Sequence, residues 1–87
     1  MLLKKHKLKS ANHGESSIVF DPSTGQTHCL DNTALQVLNK IPKQGIEAEE
    51  LVSHFVDEYN DDEKNILFKY LDDIIKQLIR LQLVVPQ

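Results

Sequence analysis

The hydrophobic pattern changes period once along this chain. Short alternating runs occupy the first third, and helical spacing takes over from about residue 31 onward. Leu2–Ser10 alternates weakly, with Leu2, His6 and Leu8 on one parity and Lys5, Lys7 and Lys9 on the other. That predicts an edge strand whose lysines discourage pairing with another sheet. A frayed basic terminus is the competing reading. Ala11–Ser17 is polar and turn-forming, and predicts a link to the next strand. Ile18, Val19 and Phe20 are of the β-branched and aromatic types that fit a pleated, half-buried surface. Asp21-Pro22-Ser23-Thr24-Gly25 then reads as a tight reversal. Asp suits the first turn position, Pro presets φ at the second, and Gly tolerates the left-handed residue that follows. The hairpin pairs Ser17–Asp21 with Gln26–Leu30. In a chain-order meander Ser17–Asp21 lies in the middle, and Thr27–Leu30 keeps one open edge.

Asp31 or Asn32 supplies an N-cap for a short helix, Asn32–Lys40, with Ala34, Leu35, Leu38 and Ile41 at helical spacing. Pro42 stops it, and Pro42–Gly45 is loop by composition. Glu47–Tyr59 predicts a second helix with Leu51, Val52, Phe55, Val56 and Tyr59 on one stripe. Its acids at Glu47, Glu49 and Glu50 sit where they complement the helix dipole. Asn60-Asp61-Asp62 breaks the pattern and caps the longest element, Asp62–Leu81. There Leu67, Leu71, Ile74, Leu78 and Leu81 form a core stripe, and Phe68, Asp72, Ile75 and Ile79 form a second row beside it. With Ile66 and Tyr70 added, the apolar arc is wider than one core-facing stripe requires. It must bury against a further part of the chain, a second subunit or a bound segment. Leu83-Val84-Val85 is apolar and predicts packing back on the domain or a strand-like contact. The order β-β-β-α-α-α predicts an α+β, winged helix-turn-helix-like fold: a three-stranded antiparallel sheet followed by three helices. Residues 1–87 read as one domain, with 1–16 as its basic N-terminal strand and loop.

Length and charge narrow the function. A chain of 87 residues builds one small core. A net charge of −3 argues against a surface shaped to grip nucleic-acid phosphates. The lone Cys29 excludes an internal disulfide and fits a reducing compartment. The N-terminus has no apolar run of signal-peptide length, and no segment is apolar enough to span a bilayer. A cytoplasmic location is therefore the expectation.

No constellation of catalytic type stands out. His6, His13, His28 and His54 fall on different elements, without the ligand spacing of a metal site. His28 and Cys29 are adjacent, but successive strand residues point to opposite faces. Cys29 reads as a small apolar strand residue and not as a nucleophile. The acids at 61–63 and 72–73 read as solvated faces and dipole partners. The expectation is a non-enzyme without cofactor or metal. Peptide binding fits better, because an open edge strand and a helix with surplus apolar side chains are the parts used in strand-addition recognition. The rivals are a winged-helix DNA-binding or transcriptional module, disfavoured by the acids opening the long helix, and an oligomerisation domain that buries Phe68, Ile75 and Ile79 in a homodimer.

The stretch from Val19 to Leu38 also resembles a known family. Asp21-Pro22, Ser23, Gly25, Thr27-His28, Leu30 and Val37-Leu38 stand in the order seen in PqqD-like peptide chaperones of the HPr-related-system type. Those proteins belong to the recognition elements for ribosomally made, modified peptides (RiPP recognition elements). Glu49-Glu50-Leu51 and Leu78–Val84 are similar too, whereas the family's N-terminal strand is hard to place in MLLKKHKLKS. The resemblance implies a winged helix-turn-helix adaptor that performs no chemistry. It would bind a precursor or leader peptide and present it to a modifying enzyme, either a radical SAM protein or one resembling HPr kinase. It further implies that the peptide adds to the third strand, here Thr27, His28, Cys29 and Leu30, beside the last helix. The apolar surplus nominates Phe68, Asp72, Ile75 and Ile79 as the helix side of that groove.

Overall fold

The computed structural model describes residues 1–57 and 59–87. In chain order the elements are β1 (Leu2–Lys5), β2 (Lys9–His13), β3 (Ser16–Asp21), β4 (Gln26–Asp31), α1 (Asn32–Asn39), β5 (Ile46–Glu47), α2 (Ala48–Val56), α3 (Asp61–Arg80) and β6 (Val84–Pro86). The fold is α+β with three helices, but its strands form two three-stranded antiparallel sheets where a single sheet was expected.

One sheet is the meander β2-β3-β4, with β3 in the middle. The place expected for Leu2–Ser10 is taken by Lys9–His13, so residues read as a polar link are themselves a strand. No hydrophobic alternation marks β2, because all five of its residues are exposed. Side-chain hydrogen bonds tie it down. Asn12 Nδ2 donates to Asn32 Oδ1 (3.1 Å), as does the buried Ser17 hydroxyl (2.9 Å), and Asn32 Nδ2 returns to the Gly14 carbonyl (3.0 Å). The network joins the β2–β3 turn of the meander to the first residue of α1. At the other end Asp21 is buried, with Oδ1 accepting from the Ser23 amide (2.9 Å) and hydroxyl (2.6 Å). The Gly25 amide closes the reversal onto the Asp21 carbonyl at 2.8 Å.

The second sheet has the order β5-β1-β6 and brings the two ends of the chain together. Here β1 is the central strand, not an edge, and its parity is the reverse of the one expected. Leu3 is fully buried, and Lys5 turns inward to donate from Nζ to the Leu38 carbonyl at 2.9 Å. Residues 42–45 lie so close to β1 that a Cβ at Gly45 (φ +94°) would sit 3.1 Å from the Leu3 carbonyl oxygen.

The first and third helices begin at side-chain caps, whereas Glu47 at the start of α2 makes no such bond. Asp31 Oδ1 accepts from the Ala34 amide (2.8 Å), and Asn60 Oδ1 from the Glu63 amide (2.9 Å). The second helix is shorter than Glu47–Tyr59. Ile46 and Glu47 pair with β1, the helix ends at Val56, and Glu58 lies outside the described residues. The last helix closes with the Leu83 amide donating to the Leu78 carbonyl (3.0 Å) and the Gln82 amide to the Ile79 carbonyl (2.9 Å), with Gln82 left-handed at φ 62°. This reversal turns Leu83 and Val84 into the core beside Leu3, Val37, Leu51 and Leu78.

Candidate functional site

The strand predicted to carry function is an edge. Among the described residues β4 pairs only with β3, so one row of its backbone N–H and C=O groups is unpartnered by sheet. Its side chains alternate by face. Leu30 is buried and His28 half-buried, while Thr27 and Cys29 point outward. The outer face continues across the meander in two rows, Lys9–Phe20–Thr27 and Ala11–Ile18–Cys29. Ile18 is 38% exposed and Phe20 37%, so an apolar strip lies one strand in from the open edge. The sequence placed Ile18 and Phe20 in a strand without assigning them a face. The missing signal was the fate of Asp21. An aspartate on the parity of Val19 gives no hint of an inward face until its turn hydrogen bonds are known.

The helix row does not line a groove with β4. The last helix packs mainly on α1, α2 and β6, so its surplus apolar face is divided among those neighbours. Phe68, Asp72 and Ile75 border a cleft of about 560 Å³ between α2 and α3, opposite Val52 and Val56. Ile79 lies instead in a shallow depression with Val84 and Pro86. Ile75 is also a core residue at 4% exposed, whereas Phe68 leaves 44% of its surface free. The eight predicted residues thus fall in three places: the β4 edge, the α2–α3 cleft and the β6 side of α3.

The cleft is apolar with a charged rim. Asp72 bridges Lys76 one turn on at 2.8 Å and holds that ammonium above its ordinary range, through the hydrogen bond first and its charge second. Both side chains are mostly in water, so the pair adds little to stability. Asp21 is held below the usual carboxylate range chiefly by the Ser23 hydroxyl, against the opposing effect of burial, with the Ser23 amide and the charge of His6 assisting. Among the described residues no three His, Cys, Asp or Glu side chains group where they could hold a metal ion. Nor is any helix there long and apolar enough to cross a membrane.

Comparison of the chain with protein-family models, with curated proteins and with solved structures gives no match.

Proposed function

We propose that the chain is a non-catalytic adaptor of the cytoplasm that binds an extended precursor or leader peptide along the free edge of β4 and presents it to a modifying enzyme of the radical SAM or HPr-kinase-like kind. The reading takes the meander and three helices as a winged helix-turn-helix-like, PqqD-like core. The observation that supports it is the unpaired edge of β4, with the exposed Ile18 and Phe20 one strand in on the same face. Backbone ladders alone are marginal. Each hydrogen bond contributes only about 0.5–1.5 kcal/mol net, while a micromolar complex needs about 8 kcal/mol after the costs of association. Side-chain anchors must supply the rest. A strand added to β4 would place alternate side chains on the outer face beside Thr27 and Cys29, continuing the rows of Phe20 and Ile18. Phe68, Asp72 and Ile75 are too divided from that edge to serve as its second wall, and on this reading the exposed Phe68 and Asp72 remain free to meet the enzyme, while Ile75 stays in the core.

The α3 N-terminus, with Asp61, Asp62 and Glu63 in its first turn, would repel DNA phosphates. The deciding experiment is an amide-resolved NMR titration with a peptide encoded beside the gene, run in parallel with a gel shift on random duplex. Shifts and slowed exchange along residues 26–31 are expected, with no duplex binding. Perturbations confined to regions away from β4 would overturn the peptide site. Salt-sensitive binding to duplex would favour the DNA-binding rival. Concentration-dependent dimerisation that buries Phe68 and Ile79 would favour an oligomerisation domain.

A further inference from the structure

A second cavity, of about 510 Å³, lies between the β1–β2 connection, the inner face of β3, α1 and the loop after it. That size is within the ~300–1,000 Å³ of small-molecule sites. Its floor is apolar, made by Leu8, Val19, Leu35, Leu38 and Ile41. The polar part of its wall is Lys5, His6, Lys7, Ser10, Asn39 and Lys43, and among the described residues no acid lines it. Three lysines from two segments far apart in sequence therefore converge on one apolar hollow, in a chain whose net charge is −3. Charge of one sign lining a low-dielectric recess focuses the field and attracts the opposite charge.

The cations are not spent on local partners. Lys5 donates one hydrogen bond, to the Leu38 carbonyl at 2.9 Å, which is neutral and leaves the ammonium uncompensated. Burial accordingly pushes that ammonium below its ordinary range. Neither Lys7 nor Lys43 takes part in an ion pair among the described residues. The charge of His6 on this wall is felt by Asp21, whose Oδ1 is already engaged by the Ser23 amide and hydroxyl.

We propose that this cavity binds an amphiphilic organic anion: a carboxylate or phosphate head held by Lys5, Lys7 and Lys43, on an unbranched apolar body laid against Leu8 and Leu35. The site is independent of the β4 edge, which none of these residues belongs to. Lysine ammoniums recognise the head as point charges without fixed bidentate geometry, so carboxylate and phosphate are both accepted.

The test uses octanoate and octyl phosphate as probes of the two head groups, followed by amide chemical shifts and calorimetry on the whole chain. Acetate and inorganic phosphate serve as head-only controls, and octylammonium as the charge-reversed control. Saturable shifts at Lys7, Leu8, Leu35, Asn39 and Lys43 are expected below about 1 mM of either octyl anion, with every control at least tenfold weaker. The variants Lys7→Glu and Lys43→Glu alter exposed side chains, so they should keep a dispersed native spectrum and lose at least tenfold in octanoate affinity. Octanoate and octyl phosphate differing by more than tenfold would name the head group. The proposal is overturned if octylammonium binds as well as octanoate, if the shifts map to the α2–α3 cleft, or if the folded lysine variants bind octanoate unchanged.

Discussion

Leu3→Ala is the substitution that reports most directly on the architecture. Leu3 is fully buried on the central strand of the β5-β1-β6 sheet, and its neighbours in register are Ile46 on one side and Pro86 on the other. Truncating a buried leucine costs about 2–5 kcal/mol, the transfer free energy plus the cavity left behind. A site walled by two paired strands collapses poorly, so about 3–4 kcal/mol is expected. A domain of this length has a total stability of only about 4–13 kcal/mol, at roughly 0.05–0.15 kcal/mol per residue. The change should therefore lower Tm by roughly 12–30 °C, at ~4–8 °C per kcal/mol. Leu2, half-buried on the opposite parity, should lose about 1 kcal/mol or less as Leu2→Ala. Urea unfolding followed by circular dichroism, with m-values compared among the three proteins, measures both. Equal losses at the two positions, or losses below about 0.5 kcal/mol at both, would show a frayed terminus and refute the central strand.

Four further outcomes are expected. Gly45→Ala should cost about 2 kcal/mol in the same assay, because the added Cβ meets the Leu3 carbonyl oxygen at 3.1 Å and forces alanine to φ +94°. Gln82→Gly should raise stability by about 0.5–1 kcal/mol, since relief of the left-handed residue ending α3 outweighs glycine's larger loss of chain entropy. The folded-state pKa of Asp21 is depressed, so its carboxylate contributes stability above about pH 4, and that contribution is lost as pH falls through the lower folded value. The stability difference between wild type and Asp21→Asn should shrink steadily in acid; a difference independent of pH would refute the assignment. Finally, alkylating the exposed Cys29 with a bulky maleimide should block peptide addition at β4 while leaving octanoate binding intact.

The hairpin and helices were legible because their signals are local. Asp21-Pro22 and Gly25 fix the reversal, Asp31 caps α1, and the spacing of Leu71, Ile74 and Leu78 sets the buried face of α3. What could not be read was non-local. Strand β1 follows no alternation of its own, since Leu3 is buried by partners more than forty residues away, at Ile46 and Pro86. Strand β2 is held by an Asn–Ser–Asn network, and polar side chains of that kind read as loop. The candidate site was legible to the same extent. Which strand keeps an open edge follows from hairpin order, whereas the partners of Phe68, Ile75 and Ile79 depend on how three helices divide one wide apolar arc. The basic cavity escaped altogether, because Lys5, Lys7 and Lys43 meet only through the tertiary fold.

The pairing of β1 with β6 imposes an order on how the chain can fold. The strand pairing of the meander and its Asn12–Ser17–Asn32 network use no residue beyond 32, and those contacts are short-range, so the pairing can form while the rest of the polypeptide is still being synthesised, although Val19 and Leu30 wait for α1 to be covered. The other sheet cannot close until Val84–Pro86 has left the ribosome, and it must then enclose a loop of nearly the whole domain. Until that moment Leu3 has no sheet partner at Pro86 and the core lacks Val84. The nascent chain therefore carries a paired meander beside an unfinished core, and this second sheet, not the hairpin, sets the time at which the domain becomes whole.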